Sequence, residues 1–194
     1  ARADTTAIAM PAMAGPYNDL TIVCAPCTTS AKMKRPSAPA REVRIVFSGD
    51  ASVAPTPSNQ LRHYLAIRTD RGWFLQDLGF SGVICGGRSQ SGVHLSARDL
   101  KSGDVLGDQT PEIEVDVETT VMGRESQIDD RHHLICTFDA NANPHCADLF
   151  VARRADRVES SWDYTIAIDR AHDTITLGHD GYGHADETVT LAMP

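Results

Sequence analysis

Polar and apolar residues alternate with a period of two through most of the chain. EIEVDVETTV is the cleanest case: Ile113, Val115, Val117, Thr119 and Val121 fall on one side, and Glu112, Glu114, Asp116 and Glu118 on the other. Successive side chains of a strand point to opposite faces, so this pattern predicts a half-buried strand with one solvated, acidic face. REVRIVF groups Val43, Ile45 and Phe47, and LRHYLAI groups Leu61, His63, Leu65 and Ile67. SWDYTIAID does the same for Trp162, Tyr164, Ile166 and Ile168. β-Branched and aromatic residues fill these runs, as a pleated, half-buried surface favours.

Turn signals separate the runs. AIRTDRGWFLQDL reads as strand, Asp-Arg-Gly turn, strand, and IAIDRAHDTITL as a second hairpin. About ten short strands at this spacing predict an all-β protein, a mostly antiparallel β-sandwich. The inner faces are expected to include Val43, Ile45, Phe47, Leu65, Ile67, Val115, Val117, Trp162, Ile166 and Ile168. SARDLKSG breaks the alternation and is read as one short helical turn. SAKMKRPSAPA and DASVAPTPSNQ are rich in Pro, Ser and Ala and are predicted as long loops between strands. Order is expected to be lowest there and in the first residues. The expected organisation is an N-terminal arm over 1–16, extended in form, followed by a single sandwich domain over 17–194.

Composition narrows the function classes. The chain has 194 residues, 41% hydrophobic and 23% charged, enough to bury a core without help from metals. The net charge of -8 argues against a phosphate-contacting face for nucleic acid. Basic residues are scattered, apart from Arg153, Arg154 and Arg157. No run approaches about 18 apolar residues, so no transmembrane segment is expected. The small residues that lead the chain are compatible with a mature end left by signal cleavage, and with a lipid anchor.

LICTFDANANPHCADLF, residues 134–150, concentrates the candidate chemistry. Folding a hairpin about Asn141 sets Cys136 opposite Cys146, and opposed residues of an antiparallel pair can approach closely enough for a disulfide. The competing readings are zinc, from both cysteines with His132, His133 or His145, and calcium at Asp139, Asn141 and Asn143, which begin a D-x-N-x-N loop. That loop then carries Pro144 in place of glycine and Phe150 in place of the bidentate glutamate. Asp, Asn and Pro are also what a plain turn uses, and the turn is the favoured reading.

Three of the five cysteines remain. VCAPC places Cys24 and Cys27 after a strand, and the poor helix former that follows argues against a redox motif. A structural disulfide is preferred, either Cys24–Cys27 or one of these with Cys85. Five cysteines and paired bonds point to an oxidising compartment: the periplasm, the cell surface or the medium. GHDGYGHADE gathers His179, Asp180, His184, Asp186 and Glu187 in a glycine-rich loop, read as a polar loop ahead of a transition-metal site.

DVLGDQTPEIEV, from Asp104 to Val115, resembles the calcium-loop segment of FG-GAP and VCBS-type repeats, whose usual form is Asp-Leu-Asp-Gly-Asp-Gly-x-Pro-Glu before a strand. Asp104, Gly107, Asp108, Pro111 and Glu112 fall in register with it. Leu106 stands for the middle aspartate and Gln109 for the second glycine. The run from VHLSARDL to HHLICTFD is also similar to secreted or lipid-anchored β proteins. The resemblance implies a cell-envelope β protein and a calcium ligand set of Asp104, Asp108 and Glu112. It implies no activity.

The leading functional expectation is a non-enzymatic extracellular or periplasmic domain without cofactor. It acts through contacts with a protein partner or with itself, as a structural or accessory subunit, with Pro36, Pro39, Pro55 and Pro57 on extended, contact-ready segments. The first alternative is a calcium-dependent carbohydrate- or surface-binding module. The second is a hydrolase whose carboxylate or metal site is hidden among 26 acidic residues. G-x-S-x-G, H-E-x-x-H, the P-loop and G-x-G-x-x-G are absent from the sequence.

Overall fold

The structure, a computed structural model, describes residues 13–20, 27–48, 61–81, 92–122, 127–155, 162–169, 174–179 and 187–190. Within them run twelve strands: β1 (Ala14–Tyr17), β2 (Cys27–Lys32), β3 (Glu42–Ser48), β4 (Leu61–Thr69), β5 (Gly72–Ser81), β6 (Gly92–Gly103), β7 (Glu112–Met122), β8 (Gln127–Phe138), β9 (Pro144–Ala155), β10 (Trp162–Asp169), β11 (Thr174–His179) and β12 (Glu187–Thr190). They form a five-stranded sheet, β1-β5-β4-β3-β2, and a seven-stranded sheet, β12-β11-β10-β9-β8-β7-β6. Every pairing is antiparallel. The fold is an all-β sandwich, as the alternation requires.

The core lies where the alternation puts it. Val43, Ile45, Leu65 and Ile67 from the first sheet meet Ile113, Val115, Val117, Leu134 and Cys136 from the second. Each fully buried aliphatic side chain contributes roughly 1.5–3 kcal/mol, which makes this seam a large source of stability among the described residues. The backbones of Phe47, Trp162, Ile166 and Ile168 lie in strands β3 and β10, and their side chains are outside the described residues. On the far side of the second sheet, His133 sits between Asp116 (2.7 Å) and Glu114 (3.2 Å), which ties down part of the acidic stripe.

Three expectations change. SARDLKSG holds no helical turn: it is the end of β6, with the register broken between Arg98 and Lys101 and Asp99 at φ 50°. The lost alternation marks a bulge, where one strand carries extra residues against its partner. The Pro-rich loop after β2 is anchored, since Met33 and Ala40 are in the core and the Ser37 N–H donates to Ser102 Oγ (3.1 Å). Pro36 and Pro39 are half-buried on it, while Pro55 and Pro57 lie outside the described residues. β1 straddles the expected boundary at residue 16 and pairs with β5, so this part of the arm belongs to the first sheet.

Candidate metal centre

The loop between β6 and β7 folds around three carboxylates. Asp104 Oδ1 accepts the Gly107 N–H (2.6 Å), and Asp108 Oδ1 accepts the Thr110 N–H (2.7 Å). Glu112 Oε2 accepts two N–H groups, from Val105 (2.7 Å) and Leu106 (3.1 Å). Short side-chain acceptors bonding to N–H groups two or three residues on are the ordinary means of bending a turn. Here they leave one oxygen of each carboxylate without a hydrogen bond among the described residues. One ligand atom from each of Asp104, Asp108 and Glu112 lies within 4.8 Å of the other two.

Glu112 departs most from expectation. The alternation assigns it to the solvated face of β7, yet it is 0% exposed, and its Oε1 is buried with no partner. Leaving a buried acceptor unsatisfied costs about 1–3 kcal/mol, more for a charged one. Burial pushes the Glu112 carboxyl above its ordinary 4.5. The Leu106 and Val105 N–H groups pull the other way, and the Asp108 and Asp104 charges push it further up. A cation between the three oxygens would remove both penalties. Asp104 and Asp108 are exposed, so the ion would reach solvent on one side.

The two departures from the FG-GAP form have visible consequences. Leu106 is buried, so the loop gains a core anchor at that position. Gln109 takes φ 70° and Gly107 φ 78°. The left-handed region costs a non-glycine residue about 1–2 kcal/mol, so Gln109 holds strain that a glycine there avoids.

Oxygen ligands favour hard cations, calcium among them, and carboxylates must be ionised to bind. The sign for Glu112 follows from its raised value. The apo fold is favoured by this group below pH 4.5 and loses that advantage as pH rises through the raised value. A cation held by the three carboxylates would oppose the loss, because it would bind the ionised form. The melting shift produced by calcium is therefore expected to be full at pH 7 and to vanish as pH falls below 4.5, measured by scanning calorimetry with and without chelator.

The β8–β9 hairpin answers the other candidates. Cys136 pairs with Cys146 in register, with Cα atoms 4.0 Å apart, and the sulfurs are bonded. Neither sulfur is then a thiolate for zinc. At the tip, Asp139 Oδ1 accepts the N–H groups of Asn141 and Asn143 (both 2.8 Å), and Oδ2 accepts from Asn143 Nδ2 (2.8 Å). The Asn143 backbone and side-chain donors lead in holding the Asp139 carboxyl down to about 2. Asn143 Oδ1 accepts from Arg71 Nη1 (2.7 Å), which ties this tip to the β4–β5 turn of the other sheet. The side-chain oxygens of Asp139 and Asn143 are taken by N–H donors, and Asn141 gives its backbone N–H to the same turn. Cys24 and Cys85 lie outside the described residues, as does the Cys27 side chain. Of the His-rich loop, only the backbone at Gly178, His179 and Glu187 is described.

No family model, curated protein or solved structure matches the chain.

Proposed function

We propose that the chain is a calcium-dependent binding domain of the cell surface, periplasm or medium, which engages a hydroxyl-rich surface such as a polysaccharide through an ion held by Asp104, Asp108 and Glu112. The observation that carries this reading is the pairing of a fully buried carboxylate, whose Oε1 has no partner, with two exposed carboxylates at its mouth. Calcium takes about six to eight oxygens. Three carboxylates binding through one oxygen each leave several positions open on the solvent side. Water fills them at rest, and vicinal hydroxyls of a sugar replace water without loss of coordination.

The Cys136–Cys146 bond suits the same setting, since disulfides persist outside the reducing cytosol and calcium there reaches the range in which open sites of this kind fill. The FG-GAP resemblance of the loop points the same way. A protein partner offering carbonyl or carboxylate oxygens would use the same open positions; the cofactor-free subunit reading is a separate one, and partner binding indifferent to chelator would favour it.

The test is an array of bacterial and plant polysaccharides probed with the labelled full chain in about 1 mM calcium and again in chelator. Retention on at least one polysaccharide in calcium, lost in chelator and in D108N, is expected. Retention that chelator leaves intact, or none in calcium, contradicts the reading.

A further inference from the structure

A cavity lies between the two sheets, away from the loop carboxylates. Its volume is about 370 Å³, within the range of small-ligand pockets. One wall is β5, with Gln76 and Leu78; the other is β7, β8 and β9, with Val117, Thr119, His132, Leu134 and Asp148. From Glu112 to Thr119 is seven residues of strand, roughly 23 Å, so this site and the loop do not share ligands.

The register explains how polar groups come to face inward here. Gln76 is paired with the core residue Leu65, and Asp148 with the core residue Leu134, and opposed residues share a face. Gln76 is only 3% exposed. Its Nε2 donates to the Asp77 carbonyl (3.3 Å), which fixes the amide orientation and leaves the buried Oε1 with no partner. Asp148 Oδ1 is bonded to His132 Nδ1 (3.0 Å), and its Oδ2 accepts no hydrogen bond among the described residues. Asp77 is already held by Arg62 (3.3 Å) and by the Gly79 N–H (2.9 Å). Gln76, whose buried Oε1 has no partner, and Asp148 thus both line one cavity, with Leu78, Val117 and Leu134 as an apolar wall.

We infer that this cavity binds a small organic primary amine, its ammonium between Gln76 Oε1 and Asp148 and its hydrocarbon body against Leu78, Val117 and Leu134. An ammonium brings three donors and a positive charge, which is what two unmatched acceptors and an anionic side chain call for. An alcohol brings one donor and no charge, and a carboxylate brings none, so both are discriminated against by the same groups.

Benzylammonium is the probe, titrated into the full chain and followed by amide chemical shifts and by melting temperature, with benzyl alcohol and benzoate as controls. Saturable shifts at residues 76, 117, 132 and 148 are expected, with benzyl alcohol about tenfold weaker or more. D148N keeps an oxygen for His132, and it is expected to bind about tenfold more weakly than the wild type. Q76L removes the unsatisfied oxygen, so it is expected to melt no lower than the wild type while losing the ligand. Should Q76L fail to fold, D148N decides alone. No shift at about 10 mM benzylammonium, equal binding of benzyl alcohol, or full binding by D148N overturns the assignment.

Discussion

In calcium the wild-type chain is expected to melt roughly 5–10 °C higher than in chelator, and E112Q to melt at one temperature in both. The first figure is mass action: a ligand present at a hundred times its Kd adds about 2.7 kcal/mol to the native state. For a chain of this size each kcal/mol moves the midpoint by about 2–4 °C. The behaviour of E112Q follows from the loop geometry. An amide at 112 keeps an oxygen for the Val105 and Leu106 N–H groups. It also replaces the unpartnered oxygen with a donor, close to the Asp104 and Asp108 carboxylates, and removes a buried charge. In chelator, E112Q is therefore expected to exceed the wild type by about 1 kcal/mol, or about 2–4 °C. Calcium has nothing left to relieve there. An E112Q chain that still gains several degrees in calcium would place the ion elsewhere.

Removing the β8–β9 staple is the other large effect. The C136A/C146A chain is expected to lose about 3 kcal/mol in equilibrium denaturation without reductant, a fall of about 6–12 °C in melting temperature. The bond closes a separation of ten residues. Closing a loop of that size in the unfolded chain carries most of the effect, and the lost sulfur packing at Cys136, which is fully buried, carries the remainder. The hairpin itself should persist, because the β8–β9 ladder and the Asp139 turn hold its register without the sulfurs. Equal stability of the double variant and the wild type would mean that the bond is not formed in solution.

Those two features differ in how readily the sequence discloses them. The staple was legible because a hairpin is local. Asp139–Asn143 announces a turn, and counting outward from it puts Cys136 against Cys146. The inner faces at Val43, Ile45, Leu65, Ile67, Val115 and Val117 were legible for a similar reason, since a period of two admits one buried side. The burial of Glu112 was not. Alternation groups it with Glu114 and Asp116, and only the return of Val105 and Leu106 onto its carboxylate takes it out of water. The available signal was the register of Asp104, Asp108 and Glu112 with a known loop form, which marked the residues without showing which of them is buried. The inter-sheet cavity left no mark at all. Gln76 and Asp148 face inward because of their cross-strand partners, and pairing across distant strands is not written in local pattern. The bulge in β6 was misread because a short break in alternation looks the same whether the chain coils or adds residues to a strand.

The most direct test of the cation centre is a calorimetric titration of calcium into the chelator-stripped full chain at pH 7. One saturable site per chain is expected, weakened about tenfold or more in D104N and in D108N and lost in E112Q. A wild-type chain that takes up no stoichiometric calcium up to about 1 mM would contradict it.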